Sequence, residues 1–202
     1  MPLRYGIMVS MLALMTGCAT SYRVHVSTFS ELDKPIPRDS GIYVERPTES
    51  QNPIFDRQIM EKIGRLLHER GYGVASDPTT AAYVLHFTVG IESHRIWRSE
   101  WVGPAWGFGY RWAEPSWTLP YPETVHEPWM VIKLSQAKAP DKGEPQVVWF
   151  GKAVSSRSSG DIRDAIDYLL VATLDFFGAD TKNTILLTLD KDDPRVLSLR
   201  RP

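Results

Sequence analysis

The chain has 202 residues, 43% hydrophobic and 11% aromatic, a composition that buries enough apolar surface to fold and excludes disorder throughout. Lysine and arginine number 23 against 24 aspartates and glutamates, so no positive field exists to hold a nucleic acid by counterion release, and none is expected as a partner. One cysteine, Cys18, excludes an intrachain disulfide framework and any cysteine-rich zinc or iron–sulfur centre.

The first element in chain order is an address, residues 1–17. Arg4 and the apolar run Gly6 to Met15 have the anatomy of a secretory signal, and the run is about half the roughly 20 residues needed to cross a bilayer. It ends in Leu14-Met15-Thr16-Gly17-Cys18, which resembles the lipobox of bacterial lipoproteins. The resemblance implies cleavage before Cys18, acylation of its thiol and usually of the new amino terminus, with residues 18–21 as a short tether. Several acyl chains, at about 0.8 kcal/mol per CH₂, make a durable anchor, so the membrane is the first expected partner. Ala19 stands where aspartate retains many such proteins in the inner membrane, which implies the periplasmic face of the outer membrane. Without Arg4 the mature chain carries 22 basic and 24 acidic side chains, too near neutral for electrostatic docking on anionic lipid.

A single domain is expected over residues 22–190. Tyr22, Val24 and Val26 alternate with Arg23, His25 and Ser27 as a half-buried strand, and the tether gives the domain only about 10 to 14 Å of reach from the membrane. Gly41 to Glu45 is a second short strand before Pro47. Asn52 then caps a helix with Pro53 at its first position, Ile59, Met60, Ile63, Leu66 and Leu67 line one face, and Gly71 stops it. From Tyr83 onward Leu85, Phe87, Val89 and Ile91 alternate with His86, Thr88, Glu92 and His94, one face core and the other wet. Strands at 129–135 and 146–154 read as a hairpin across the loop at 139–143.

Ser159-Gly160-Asp161 opens a second helix, with Ile162, Ile166, Leu169, Leu170, Thr173, Phe176 and Phe177 on one face and Gly178 after it. A last strand is expected at 184–189, residues 191–202 are read as a C-terminal tail, and its basic end Leu199-Arg200-Arg201-Pro202 is expected to fray. Together these give an α+β fold, an antiparallel or mixed sheet with two amphipathic helices packed on one face. About 185 mature residues bury roughly 70% of their extended surface, so stability calls for no cofactor and none is expected.

Three motifs resemble the domain of unknown function 4136 family of bacterial envelope lipoproteins. They are Leu67-His68-Glu69-Arg70-Gly71-Tyr72, Ala81-Ala82-Tyr83-Val84-Leu85 and Val147-Val148-Trp149-Phe150-Gly151-Lys152-Ala153, and the likeness spans residues 20 to 180. Tyr83 replaces the family's usual acidic residue, and the insertion before the third motif is longer and richer in proline. The resemblance implies the fold and carries over no catalytic residue.

The stretch from Trp97 to Trp129 holds six of the seven tryptophans, with prolines at 104, 115, 120, 122 and 128. The insertion, residues 97–128, is expected as a long loop presenting Trp97, Trp101, Trp106, Phe108, Tyr110, Trp112 and Trp117 as a binding surface. Its bland alternative is that the rings fold back over an open sheet edge or form a satellite core. Of the functional readings, an envelope protein partner or self-association ranks first, with a glycan or peptidoglycan fragment as the alternative and membrane contact after it.

An enzyme ranks last and no metal site is expected. His86 and His94 stand about 27 Å apart on a straight strand, too far to share an ion, and Glu92 with His94 reads as a solvated pair. Ser135-Gln136-Ala137-Lys138 has the Ser-x-x-Lys spacing but ends a strand, and its partner motifs are missing.

Overall fold

The computed structural model describes residues 21–48, 50, 52–102, 117–137, 145–156 and 159–200. Their elements are β1 (Ser21–Ser30), β2 (Gly41–Glu45), α1 (Pro53–Glu69), β3 (Gly73–Val74), β4 (Tyr83–Val102), β5 (Trp117–Gln136), β6 (Val147–Ser155), α2 (Ile166–Leu174), β7 (Ile185–Asp190) and α3 (Pro194–Arg200). The strands form one seven-stranded sheet in the order β3-β2-β4-β5-β6-β1-β7. β2 is parallel to β3 and β4, because α1 carries the chain back across between them, and every other pair is antiparallel. The fold is therefore α+β with a mixed sheet. The signal residues, the lipobox and Cys18 lie outside the described residues, as does the loop at 139–143.

Alternation places the strands' apolar side chains in one core. Tyr22, Val24 and Val26 of β1, Leu85 and Phe87 of β4, and Met130, Ile132 and Leu134 of β5 are all buried, as the two-residue period requires. Ile59, Ile63, Leu66 and Leu67 of α1 join them. Asn52 caps α1, its Oδ1 accepting the Phe55 N–H at 3.1 Å, and Gly71 ends it at φ 80°, a conformation that disfavours any side chain.

The C-terminal half departs from the expectation in two ways. The Asp161 cap serves a separate 3₁₀ turn, Ile162–Asp164, and α2 begins only at Ile166. All nine residues of α2 are buried, so it has no wet face, and Phe176 and Phe177 lie beyond its end. The tail supplies the reason, because residues 194–200 are helical, Leu199 and Arg200 included, where fraying was expected. They form α3, which buries Val196 and Leu199, and the Arg200 guanidinium donates to the Tyr168 hydroxyl at 3.0 Å. Lys62 of α1 meets Asp167 at 2.6 Å, which joins the two longer helices directly.

Candidate functional site

The sheet proper ends where β5 leaves β6, at Trp129 opposite Val154, and β2 has already left β4 at His86. Beyond that line, among the described residues, β4 and β5 pair only with each other, in unbroken register from Ile91 opposite Pro128 to Val102 opposite Trp117. At about 3.3 Å per residue the two strands make an arm some 35 to 40 Å long. Gly90 and Trp129 form its root: a Cβ on Gly90 would stand 2.7 Å from the Trp129 ring, so the indole lies where only glycine leaves room.

This corrects the expectation of a long loop. Residues 97–102 and 117–128 continue the flanking strands, and the three prolines in β5 had disguised them. The orientation of β5 explains how the ladder tolerates those prolines. His126 accepts the Ser159 N–H through its carbonyl at 3.1 Å and Gln136 donates to the Gln146 carbonyl at 3.1 Å, both on the side away from β4. Backbone groups alternate sides along a strand, so every even-numbered residue of β5 points them outward. Pro120, Pro122 and Pro128 are all even, and each missing N–H falls on the outer edge, where the arm loses no hydrogen bond.

The arm presents two different faces. One carries Trp97 with Ser99 and Arg95 on β4, opposite Pro122, Pro120 and Thr124, and on it Ser93 Oγ lies 2.7 Å from His126 Nδ1. The other carries Glu92, His94, Ile96 and Arg98 opposite Glu127, Val125, Glu123 and Tyr121. Arg98 is paired with Glu123 there, and His94 Nε2 is 3.9 Å from Glu127 Oε1. Trp97 is 71% exposed, Leu119 60% and Tyr121 41%. The reading in which Trp97 folds back over a sheet edge is overturned by that exposure.

Of the expected surface residues, Trp97 stands open on the arm, while Trp101 and Trp117 occupy the last paired positions, opposite Thr118 and Val102. Trp106, Phe108, Tyr110 and Trp112 lie outside the described residues, as Cys18 does. Leu119 was missed by sequence reasoning, and Tyr121, though interleaved in the same aromatic stretch, was not among the expected surface residues. Their signal was the parity of the segment, apolar side chains at odd positions between prolines at even ones.

The titratable candidates do not assemble. His86 Nδ1 pairs with Glu45 Oε2 at 2.8 Å on the sheet body, away from His94 on the arm. Ser135 is buried within β5 instead of opening a helix. Among the described residues no three His, Cys, Asp or Glu side chains gather as metal ligands. An open cleft of about 620 Å³ lies at the root of the arm, lined by Phe55, Asp56, Gly90, Trp129 and Ile162 among others. Asp56 is tied there to the Ser50 hydroxyl.

No family model and no curated protein matches the sequence. Solved structures are similar to it in fold. A PDZ domain protein from Parabacteroides distasonis matches at TM-score 0.50 with 12% identity, over 84% of this chain and 39% of that one. A PelC dodecamer from Paraburkholderia phytofirmans matches at 0.46 with 16% identity, over 77% and 98%. A DUF4136 family protein from Bacteroides thetaiotaomicron, of the family the motifs resemble, matches at 0.46 with 14% identity, over 75% and 94%. Identities this low speak to the fold alone.

Proposed function

We propose that the protein is a lipid-anchored component of the outer membrane, facing the periplasm, whose role is to hold a protein partner through its β4–β5 arm and not to catalyse a reaction. The observation that carries this reading is the arm itself. A two-stranded ribbon is marginal in water on its own, and this one, with no further layer among the described residues, exposes Trp97 on one face and Leu119 and Tyr121 on the other. A surface of that kind is stabilised by lying against something else.

The anchor reading rests on the lipobox resemblance at Leu14 to Cys18 and agrees with the strand directions. β1 begins at Ser21, three residues after Cys18, and Val24 stands opposite Ser155, beside the Val154–Trp129 pair at the arm's root. The start of β1 and the root of the arm therefore lie at the same end of the sheet. An arm attached there works within reach of the bilayer surface.

Metabolic labelling with a fatty acid tests the anchor. The full chain is expected to take up label and Cys18→Ala to take up none; equal labelling of both contradicts the reading. The arm is tested in intact cells by a photo-crosslinking side chain at position 97, which is expected to give a discrete protein adduct. The alternative ligand, a glycan or peptidoglycan fragment, is favoured by one observation, the exposed Trp97 ring on a face that also carries Ser99 and Thr124. It requires tryptophan fluorescence that responds to cell-wall fragments in the full chain and not in Trp97→Ala.

A further inference from the structure

The two edges of the arm are not equivalent. β5 has Pro120, Pro122 and Pro128 along its outward side, and the Ser159 N–H occupies the carbonyl of His126 between them. No strand can add there in register, because donors are missing at three of its outward positions. β4 is the opposite case. By the same alternation its odd-numbered residues turn their backbone groups away from β5: Ile91, Ser93, Arg95, Trp97, Ser99 and Trp101. None is proline, and no described strand lies beside them. Among the described residues, one edge is closed to strand addition and the other is open over eleven positions.

The sequence along the open edge says what fits it. In an antiparallel pair of identical strands one residue lies on the two-fold axis, and its choice sets every other pairing. Centring on Arg95 or on Arg98 opposes two guanidinium-bearing residues, and centring on Ile96 sets Glu92 opposite Glu100 and His94 opposite Arg98. Centring on Trp97 opposes no like charges; centring on Ser99 opposes none either but pairs only positions 97 to 101 of the open edge, against 93 to 101 for Trp97. The Trp97 centre places Trp97 on Trp97, Arg95 on Ser99, Ser93 on Trp101, and His94 on Glu100. Aromatic pairs are among those that stabilise neighbouring strands, and the outward groups of positions 93 to 101 would exchange about ten hydrogen bonds, the usual complement of a stable interface.

We infer that a second copy of this chain pairs with the outer edge of β4, antiparallel and with Trp97 on the two-fold axis, so that two arms form one four-stranded ribbon. This rests on the reading that the arm is the contact surface, and names the partner. The ribbon's outer edges are then the two proline-bearing β5 strands, which stop further growth and leave a closed dimer.

The test places one proline on each edge of the full chain. Ser99→Pro removes an outward donor from β4, and Thr124→Pro removes one from β5, each at a position where the arm's own ladder needs none. Sedimentation of the detergent-solubilised protein is expected to give a dimer for wild type and Thr124→Pro and a monomer for Ser99→Pro. A wild-type monomer, or a dimer that survives Ser99→Pro, overturns the inference. Should Ser99→Pro fail to fold by circular dichroism, cysteine crosslinking decides: in a Cys18→Ser background, oxidation is expected to link Trp97→Cys into a dimer and to leave Thr124→Cys unlinked, and equal linking of both overturns it. An adduct from position 97 to a different protein sinks self-pairing and leaves the arm reading standing. No adduct at all removes both.

Discussion

Gly151 shows how a motif that looks like a signature is a packing requirement. Trp149 and Gly151 sit two apart on β6 and face the same way, and the indole lies across the glycine, its Nε1 donating to the Ala179 carbonyl at 2.9 Å. A Cβ at 151 would stand 2.6 Å from Trp149 Cη2 and 2.8 Å from Thr173 Cγ2. Gly151→Ala is expected to cost about 1–3 kcal/mol in urea unfolding, while Gly160→Ala, with nothing within 4 Å of its new methyl, stays within about 0.5 kcal/mol. Gly71-Tyr72 has the same character: the glycine ends α1 and the Tyr72 ring packs edge-on against Phe177 with the Arg38 guanidinium over its face. The motifs behind the family resemblance thus report the core and do not report a site. The tryptophans divide by the same test, and Trp149→Ala is expected to lose about 3–5 kcal/mol where Trp97→Ala loses less than about 0.5.

Among the elements, those with a clean period were legible. β1, β2, α1 and the buried half of β4 lie where alternation, the Asn52-Pro53 cap and Gly71 set them. Two elements were hidden for identifiable reasons. The arm strands carry prolines that argue against a strand until their shared parity is noticed. α3 carries too few apolar residues to declare itself, since Val196 and Leu199 acquire meaning only from the α2 surface they cover. Asp193 fixes the start of α3: its Oδ1 accepts the Arg195 N–H at 2.9 Å, and the hydrogen bond from the Arg195 guanidinium holds the carboxyl below its ordinary 3.8 against the opposing effect of burial. A carboxyl depressed in the folded state contributes stability above its unfolded pKa and loses it as pH falls through the folded one. Thermal unfolding from neutral pH down to about pH 2.5 is therefore expected to show a steeper acid decline in the full chain than in Asp193→Asn, and parallel curves contradict this.

At the scale of the whole molecule, the body and the arm are built differently. The body is one hydrophobic core with its helices tied by Lys62–Asp167 and by Arg70–Asp175 at 2.7 Å, and no residue of the arm belongs to that core. The aromatic content of residues 97–128 marks the segment as unusual but hides its form, because the form depends on the register of two strands and composition carries no register. The central claim is that binding belongs to the outboard ribbon. It is tested most directly by photo-crosslinking the full-length protein in intact cells from two positions of similar exposure: position 97 on the arm, and position 186, where Leu186 of β7 is 50% exposed on the body. The account expects a discrete adduct from 97 and none from 186; the same adduct from both, or an adduct from 186 alone, contradicts it.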